Sequence, residues 1–517
     1  SVGNKADVSG NDLIQYWSED PNTDVMLLYL ESFGNPRKFG EIARRVGKRK
    51  PIVAVKAGRS RGGARAASSH TGALASSDAI VGDLFKQAGI IRTETIEELF
   101  DVASVLANQP KPLGRRMAIV TNAGGPAILA ADAAESNGLA LAELTDATKN
   151  ELRSFLPAAA SVGNPVDMIA SANAEQYRRA IRLLLADANV DSVMIIYIPV
   201  FAIDADVVAS VVRECAAAAN GKTMLATFMS AQRAPAALMP VPSFPFPERA
   251  VKALARATSY AEWRRGPVGS RVRFDDIDRE QIRTIVERKL AAGGGWLDAV
   301  DIYALLLATR IPSALLEPVA TVYEAVQAAM RMGFPVVVKA QGPALLHKSE
   351  SGAVKLELQD EREVREAYLE LQGRLGDLMT GAIVQQMIPG GVEVMIGTTE
   401  APTFGQVVVY GAGGTLVELL ADISFRIHPI TDVDAGEMVE EVRCSKLLRG
   451  FRGAKPSDIE SLKEIMLRVS ALLEICPEIR ELDINPLKVL EQGAVVVDAR
   501  VRVETVPPAP PSRRIAY

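Results

Sequence analysis

The chain has 517 residues, of which 48% are hydrophobic and 23% charged, a balance typical of a folded protein with substantial cores. This length predicts three or four folding units. The net charge of −5 gives no basic surface for nucleic acid. The three cysteines are not spaced in pairs, which argues against a disulfide framework or a zinc cluster. This predicts a protein of the reducing cytoplasm. The longest apolar run, residues 192–200, is too short to span a membrane.

The first 260 or so residues alternate short apolar runs with amphipathic stretches, which predicts βαβ units and a mostly parallel sheet. Residues 25–30 and 52–55 are the first two predicted strands, and Glu31 directly follows the first of them. The loop after the second strand is rich in Gly, Ser, Arg and Ala, and it contains His70. Functional residues of such sheets favour the carboxyl ends of the strands, so Glu31 and His70 are candidates.

A second α/β unit is predicted after a segment rich in proline and lysine. Its first strand, 117–120, leads into a turn in which Asn122, Gly124 and Gly125 precede a predicted helix. Free N–H groups at such a helix start can bind an anion. A plain strand-to-helix turn is the alternative interpretation.

The charged segment 263–281 is interrupted by glycine and proline and is the predicted inter-domain linker. Beyond it the predicted strands are more closely set, which indicates an α+β arrangement. We therefore predict five segments: a partial α/β domain at 1–112, a second α/β domain at 113–262, the linker, an α+β domain at 282–505 with a small subdomain inserted at about 314–386, and a proline-rich tail at 506–517.

The last third of the chain contains a candidate phosphate-binding lysine and a group of candidate metal ligands. Lys339 ends an apolar predicted strand before a glycine-bearing loop, which suits a lysine that neutralises phosphates. A surface lysine at a strand end is the alternative. Asp483, Asn485 and Asp498 lie on two predicted strands and offer only oxygen donors, which favour magnesium over zinc or copper. Two acidic strand ends can also meet by chance.

The three histidines differ in their surroundings. His70 and His347 lie in small-residue, glycine-bearing segments, whereas His428 has aromatic and apolar neighbours and is predicted to pack. Neutral imidazole is a nucleophile that can hold a phosphoryl group, so the first two are candidate relay residues. Glu31 could orient the His70 ring by accepting a hydrogen bond from one nitrogen. An exposed structural carboxylate is the alternative for Glu31.

Taken together, these segments resemble the nucleoside-diphosphate-forming acyl-CoA synthetases, of the ADP-forming acetate–CoA ligase type, which are relatives of succinyl-CoA synthetase. The resemblance covers nearly the whole chain. Residues 69–73 are similar to the family's phosphohistidine loop, and Glu31 falls where the family keeps the glutamate that contacts that histidine. Asn122, Gly124 and Gly125 resemble the helix-start loop that receives the phosphate from the other side.

The last third is similar to an ATP-grasp domain, and the resemblance implies a role for each matching residue. Lys339 corresponds to the phosphate lysine, and His347 aligns with a second histidine that some members use as a relay. The remaining matches are the adenine hinge at Gln385, Gln386 and Met387, the ribose contact at Glu393, and the magnesium site at Asp483, Asn485 and Asp498.

The resemblance implies an α/β fold of two flavodoxin-like succinyl-CoA-synthetase domains followed by an ATP-grasp domain. The implied reaction is ATP + carboxylic acid + CoA ⇌ ADP + phosphate + acyl-CoA, through an acyl phosphate and a phosphohistidine. ATP/ADP, Mg²⁺ and CoA are the implied cofactors. We expect a cytoplasmic homodimer whose partners are the acid, CoA and phosphate, without nucleic acid or membrane.

The sequence departs from the family pattern in one respect, and two other functions remain open. The family begins with a CoA-binding domain that this chain does not show, so we expect most of the CoA site to lie outside it and CoA transfer to require that part. A synthetase-like regulatory module of a protein acetyltransferase is the first alternative, against which His70 speaks. An ATP-grasp ligase without a histidine relay is the second, and it leaves the first 260 or so residues unexplained.

Overall fold

The structure is a computed structural model that describes residues 8–31, 35–58, 78–199, 205–229, 234–342, 352–401, 404–414 and 422–506. The chain divides into two compact units, Ser1–Pro267 and Val268–Tyr517. Each unit contains two β-sheets among the described residues, so the smaller predicted domains share compact bodies.

Parallel sheets form the first unit. Its strands are β1 (Met26–Leu30), β2 (Ile52–Lys56), β3 (Ile91–Thr93), β4 (Arg116–Thr121), β5 (Ala140–Leu141), β6 (Val166–Asp167), β7 (Ser192–Tyr197), β8 (Thr223–Phe228) and β9 (Ser243–Phe244). Its helices are α1 (Gly10–Glu19), α2 (Pro36–Gly47), α3 (Asp78–Ala88), α4 (Ile96–Asn108), α5 (Gly124–Ser136), α6 (Asp146–Phe155), α7 (Ala174–Ala186), α8 (Ala205–Ala217) and α9 (Pro247–Arg265). One sheet has the order β1-β2-β3, and the other has the order β5-β4-β7-β8-β9 with β6 beside β4.

Antiparallel sheets form the second unit. Its strands are β10 (Gly295–Trp296), β11 (Leu316–Val319), β12 (Val336–Gln341), β13 (Val354–Leu358), β14 (Gly381–Gln386), β15 (Val392–Ala401), β16 (Gly405–Ala412), β17 (Ile423–Ile427), β18 (Ile479–Val489), β19 (Ala494–Val496) and β20 (Ala499–Val503). Its helices are α10 (Arg279–Ala291), α11 (Ala299–Ala308), α12 (Val322–Met332), α13 (Glu361–Leu375), α14 (Asp432–Glu441), α15 (Ser445–Leu448) and α16 (Ile459–Ile475). The small sheet has the order β11-β14-β12-β13, and the large one has the order β10-β20-β18-β15-β16-β17 with β19 beside β18.

Strands β2, β7 and β8 of the first unit are buried on both faces, which is why their sequences are largely apolar runs. Every residue of β2, β7 and β8 is buried. Helices cover both faces of a parallel sheet, so alternation between apolar and polar residues is not required. This confirms the predicted strands at 52–55 and 192–200 and places Glu31 and the turn before α5 at carboxyl ends of strands.

Some predicted boundaries shift in the structure. Asp498 lies between β19 and β20 instead of on a strand, because pairing with β18 breaks at that point. Helix α9 continues to Arg265, so the segment without helix or strand between it and α10 is 266–278, shorter than the predicted linker. The tail beyond Val506 lies outside the described residues. Within the described ranges, no helix is long and apolar enough to cross a membrane.

A buried ion cluster fixes α14 against β17 in the second unit. Arg426 has a fully buried side chain, and its guanidinium donates to Glu441 Oε2 at 3.0 Å and to Glu437 Oε2 at 3.1 Å. Ser424 also donates to Glu441, at 2.6 Å. Burying a guanidinium costs free energy unless carboxylates and hydrogen-bond acceptors surround it. Removing one partner of this cluster should therefore destabilise the protein.

Replacing Arg426 by methionine is expected to lower the free energy of unfolding by about 3 kcal/mol, because the buried carboxylate of Asp434 and the half-buried ones of Glu437 and Glu441 then lose their counter-charge. The matched control is Arg449→Met, which removes an exposed ion pair with Glu440 on the same helix and should change stability by less than about 1 kcal/mol. Urea unfolding followed by circular dichroism measures both. Equal midpoints for the two variants would show that the buried cluster contributes nothing.

Candidate functional site

Glu31 and Lys56 meet where β1 and β2 end in the first unit. Lys56 Nζ donates to the backbone carbonyl of Glu31 at 2.8 Å and also to the carbonyl of Ala57. The Lys56 side chain is 9% exposed, whereas Glu31 is exposed. His70 lies outside the described residues, so its contact with Glu31 stays a prediction.

Asn122 follows β4 and is buried, and the bonds of its side-chain amide within the described ranges go to backbone. Its Nδ2 donates to the carbonyl of Ile198 at 2.6 Å, and its Oδ1 accepts from the Ile198 N–H at 2.9 Å. The amide thereby fastens the turn before α5 to the segment that follows β7. These two bonds leave the second Nδ2 hydrogen unused, so Asn122 can shape the turn and still donate to a phosphate.

The first residues of α5 present open backbone donors. The cap residue Ala123 makes no side-chain capping bond, and its own N–H donates to Thr121 Oγ1 at 3.0 Å. The N–H groups of Gly124 and Gly125 have no acceptor in the part of the chain that the structure describes. Such donors at a helix start favour an anion. Asp167 stands beside them, since a Cβ added at Gly124 would lie 3.0 Å from its Oδ2.

Lys339 and Asp498 are brought together in the second unit. Lys339 is a half-buried residue inside β12, and its Nζ lies 3.4 Å from Asp498 Oδ1 and 3.4 Å from the carbonyl of Val497. Both side chains line a small pocket, with a cavity volume of about 40 Å³, together with Gln385, Ser313 and Tyr303. A cation and a carboxylate on one pocket wall can hold a phosphate and the metal ion that accompanies it.

Asn485 joins this arrangement through its backbone and its side chain. Its N–H donates to the carbonyl of Asp498 at 3.0 Å, and its Oδ1 accepts from the Gly414 N–H at 2.9 Å. Asp483 lies two residues earlier on β18, where burial, followed by the nearby negative charges of Asp498 and Glu481, raises the pKa of its carboxyl group against the effect of Arg500.

The donor set fits a hard divalent cation. A carbonyl oxygen has a second lone pair, so Asn485 Oδ1 can still accept a metal ion, and a cation would offset the charge that burial penalises at Asp483. No group of three or more His, Cys, Asp or Glu side chains is arranged to hold a metal within the described ranges, so the amide of Asn485 or a ligand on ATP would have to complete the site.

The predicted adenine hinge is partly engaged by the protein itself. The Gln385 side chain is buried and donates from Nε2 to the carbonyl of Val497 at 2.7 Å. The N–H groups of Gln386 and Met387 donate to the carbonyls of Leu315 and Pro335, at 2.9 and 3.2 Å. Gln385 therefore ties the small sheet to the loop that carries Asp498.

Glu393 lies on β15, and no hydrogen bond among the described residues joins it to Lys339. It is exposed, 3.8 Å from Lys488 Nζ, and its carbonyl accepts from the Gly413 N–H at 3.0 Å. In the described residues, Glu393 connects to Asn485 through the 413–414 turn, and no direct bond joins it to the pocket. His347 lies outside the described residues. His428 is buried with Nδ1 3.1 Å from Ser470 Oγ, which confirms the packing prediction.

Sequence reasoning missed two residues that the structure places at these sites. Lys56 ends the apolar run of β2 before the segment that contains His70, the same pattern that singled out Lys339. Asp167 ends the short strand β6, and only the pairing of β6 with β4 brings it to the start of α5. The first had a usable signal in the sequence, and the second depended on tertiary structure.

Three family models match the chain. They are a succinyl-CoA ligase-like flavodoxin domain over residues 1–106, a ligase-CoA domain over 117–237 and an ATP-grasp domain over 288–503. They confirm the fold class predicted from the sequence, two succinyl-CoA-synthetase-like domains followed by ATP-grasp.

Similar proteins carry related descriptions. The Archaeoglobus fulgidus acetate–CoA ligase [ADP-forming] I is 38% identical over 97% of this chain and 73% of its own length. The Nitrosopumilus maritimus 4-hydroxybutyrate–CoA ligase [ADP-forming] is 34% identical over the same shares. A solved structure, Ca. Korarchaeum cryptofilum dinucleotide forming acetyl-coenzyme A synthetase 1 with phosphate and ADP, is 34% identical over 51% of this chain and 59% of that one, with a TM-score of 0.49. The alternative of a non-catalytic regulatory module is not favoured, and the chain belongs to the ADP-forming acyl-CoA ligases, a family of enzymes.

Proposed function

We propose that the chain converts ATP and a carboxylic acid into ADP and an acyl phosphate through phosphorylation of His70, as its part in forming acyl-CoA. The observation that carries this is the pairing of Lys339 with Asp498 at one pocket of the second unit, with Asn485 joined to Asp498 by a backbone hydrogen bond. A lysine and oxygen ligands in that arrangement suit the γ-phosphate of a nucleotide.

The proposed reaction has three steps. A ring nitrogen of His70 attacks the γ-phosphorus of ATP, the bond to the β,γ-bridging oxygen breaks, and ADP leaves with the electron pair. A carboxylate oxygen of the acid then attacks the phosphorus on His70 and forms an acyl phosphate, which frees the imidazole. The CoA thiolate finally attacks the acyl carbon, and inorganic phosphate leaves. Splitting one difficult transfer in this way lowers each barrier.

Glu31 and His347 take supporting roles in this proposal. Glu31 accepts a hydrogen bond from the second ring nitrogen of His70, which selects the tautomer that attacks. His347 serves as a second phosphoryl carrier between the nucleotide and His70, as the resemblance implies. Loop movement, not a fixed contact, would bring such groups together.

Around the nucleotide, we assign the phosphates to Lys339, the base to the backbone of Gln385, Gln386 and Met387, and the ribose to Glu393. The exposure of Glu393 supports a hydroxyl contact. Asp483, Asn485 and Asp498 would hold Mg²⁺, which neutralises the phosphate charge that develops during transfer. The predicted domain boundaries, the cytoplasmic location and the homodimer stay predictions.

The product test is direct. The protein is incubated with ATP, Mg²⁺, CoA and a panel of acids that begins with acetate and 4-hydroxybutyrate, the acids in the names of the two relatives. ADP and the acyl phosphate are the expected products, together with acid-labile phosphate on His70. Formation of AMP and pyrophosphate would exclude the proposal.

The start of α5, which we assign as a phosphate site, offers a matched pair of variants. A Cβ at Gly125 would meet no protein atom within 4 Å, so Gly125→Ala should leave the melting temperature unchanged. We expect it nevertheless to slow transfer of phosphate from phospho-His70 to the acid on the order of tenfold, because the methyl group would occupy the space over the open N–H groups. Gly124→Ala crowds Asp167 at 3.0 Å and should affect both stability and rate. A Gly125→Ala protein with unchanged transfer would contradict phosphate binding at this helix.

A further inference from the structure

Arg500 is a charged residue beside the candidate nucleotide site that has no role in the proposed steps. It is the second residue of β20 and lies two positions after Asp498 in the sequence. It is exposed, and its guanidinium makes no hydrogen bond or ion pair with any residue that the structure describes. A guanidinium carries five N–H donors in one plane, so Arg500 is available to an incoming anion.

Strand pairing places Arg500 beside Asp483. The two residues are directly opposite each other in the antiparallel pair of β18 and β20, so their side chains share one face of the large sheet with Cβ atoms about 5 Å apart. On the other side of β18, the residue opposite Asp483 is Gly397, which has no side chain. Burial raises the pKa of the Asp483 carboxyl group, and the charge of Arg500 is the main effect that opposes it. Arg500 is therefore the cross-strand neighbour of this carboxylate.

Lys339 supplies another positive charge to the same group of residues, from the other sheet of the second unit. It lies on β12 of the small sheet, whereas Arg500 lies on β20 of the large sheet. Lys339 Nζ is 3.4 Å from Asp498 Oδ1, and the carbonyl of Asp498 accepts from the Asn485 N–H at 3.0 Å. Asn485 lies two residues after Asp483 on β18. Each acidic candidate ligand thus has its own cation, Lys339 beside Asp498 and Arg500 beside Asp483.

Binding of a metal ion would leave these two cations without counter-charges. A divalent cation held by Asp483 and Asp498 would offset the negative charge of both carboxylates. The phosphates of a nucleotide would then supply the missing negative charge. A guanidinium is suited to this task, because it can bind two phosphate oxygens through parallel hydrogen bonds, whereas the ammonium group of Lys339 acts as a point charge.

We propose that Arg500 is a second phosphate-binding residue of the nucleotide site, which donates hydrogen bonds from the large sheet to the β- and γ-phosphates of ATP while Lys339 approaches from the small sheet. The inference rests on the proposed function, in which the second unit binds ATP as the phosphoryl donor. Arg500 changes no covalent bond in the proposed steps. It stabilises the negative charge on the phosphate oxygens as the γ-phosphoryl group is transferred.

The experiment measures nucleotide binding by calorimetry in EDTA, so that no metal ion takes part. The probes are a non-hydrolysable ATP analogue and AMP, and the variant is Arg500→Gln, made alone and together with Asp483→Asn. The matched control is Arg502→Gln, two residues further along the same face of β20, because Arg502 already pairs with Glu504 at 2.6 Å. Melting temperatures are recorded for every protein.

For Arg500→Gln we expect the affinity for the ATP analogue to fall by about tenfold or more, because charge-assisted hydrogen bonds to phosphate are lost. The same loss is expected in the Asp483→Asn background. The affinity for AMP should not change, since AMP lacks the β- and γ-phosphates, and Arg502→Gln should bind both probes like the wild type. Arg500→Lys keeps the charge without the paired donors and should lose less. If Arg500→Gln does not fold, this smaller loss must still be found in Arg500→Lys.

Three results would overturn the inference. A loss that disappears in the Asp483→Asn background would show that Arg500 acts only through that carboxylate. Equal losses for the ATP analogue and AMP, or an equal loss in Arg502→Gln, would show an effect of overall charge. Unchanged binding by Arg500→Gln, in a protein whose wild type gains acid-labile phosphate, overturns this inference alone. Wild-type protein that binds neither probe overturns the proposed function and this inference with it.

Discussion

Replacing His70 by alanine is expected to abolish acid-labile phosphate on the protein and to lower acyl phosphate formation on the order of 10⁴-fold. The imidazole is the proposed covalent carrier, and removing a nucleophile from a group of residues that act as a unit costs most of the catalysis that the unit supplies. The measurement is ³²P incorporation from labelled ATP, quenched in acid and in base, because phosphohistidine survives only the second.

The controls separate chemistry from folding and from nucleotide binding. ATP binding by His70→Ala, followed by calorimetry, should match the wild type, because the residues assigned to the nucleotide all lie in the second unit. His347→Ala tests the second carrier: a loss of labelling on His70 supports a two-histidine relay, and unchanged labelling removes His347 from the route. Label that persists in His70→Ala with the same acid lability would contradict His70 as the acceptor.

Much of the fold could be predicted because local patterns and tertiary structure agree. The strand β2 is an apolar run of parallel-sheet type, and all of its residues are buried. Asn485 and Asp498 were paired by resemblance, and the structure joins them by a backbone hydrogen bond of 3.0 Å. Hydrophobic periodicity and burial thus decide where strands begin and end, within a few residues.

The direction of particular side chains could not be predicted in the same way. The partner of the Asn122 amide is Ile198, 76 residues away, and no local pattern indicates that contact. Gln385 turns toward the carbonyl of Val497, 112 residues away, although its position suggested a contact with the base. Long-range bonds of this kind satisfy buried amides, and they form only once the sheets are assembled.

Lys56 and Lys339 have similar sequence surroundings. Each follows a run of three or more apolar residues in a buried strand and precedes a loop that contains glycine. The sequence analysis selects only Lys339 from this pattern, and the resemblance then implies its role at the phosphates. The structure places both ammonium groups beside backbone carbonyls, and that of Lys339 also lies 3.4 Å from a carboxylate oxygen of Asp498.

Replacing Lys339 by methionine is expected to slow phosphorylation of His70 by ATP on the order of 10³-fold, because one preorganised cation at a transferring phosphoryl group contributes that much to its stabilisation. Asp498, 3.4 Å from Nζ, would also lose its counter-charge. Methionine preserves the stem that packs in β12, so the melting temperature should change little. The rate is followed by single-turnover quenching at saturating ATP, and the affinity by calorimetry.

The matched control is Lys355→Met on the neighbouring strand β13, where Lys355 pairs with Glu370 at 2.6 Å and does not line the pocket. It should change the rate by less than about twofold, as expected for a surface ion pair. Labelling of His70 in the opposite direction, by the acyl phosphate, should survive Lys339→Met, because that step does not involve the nucleotide. If Lys339→Met slowed labelling of His70 by ATP and by the acyl phosphate equally, Lys339 would have a general role in folding. The assignment of this pocket to the nucleotide would then be wrong.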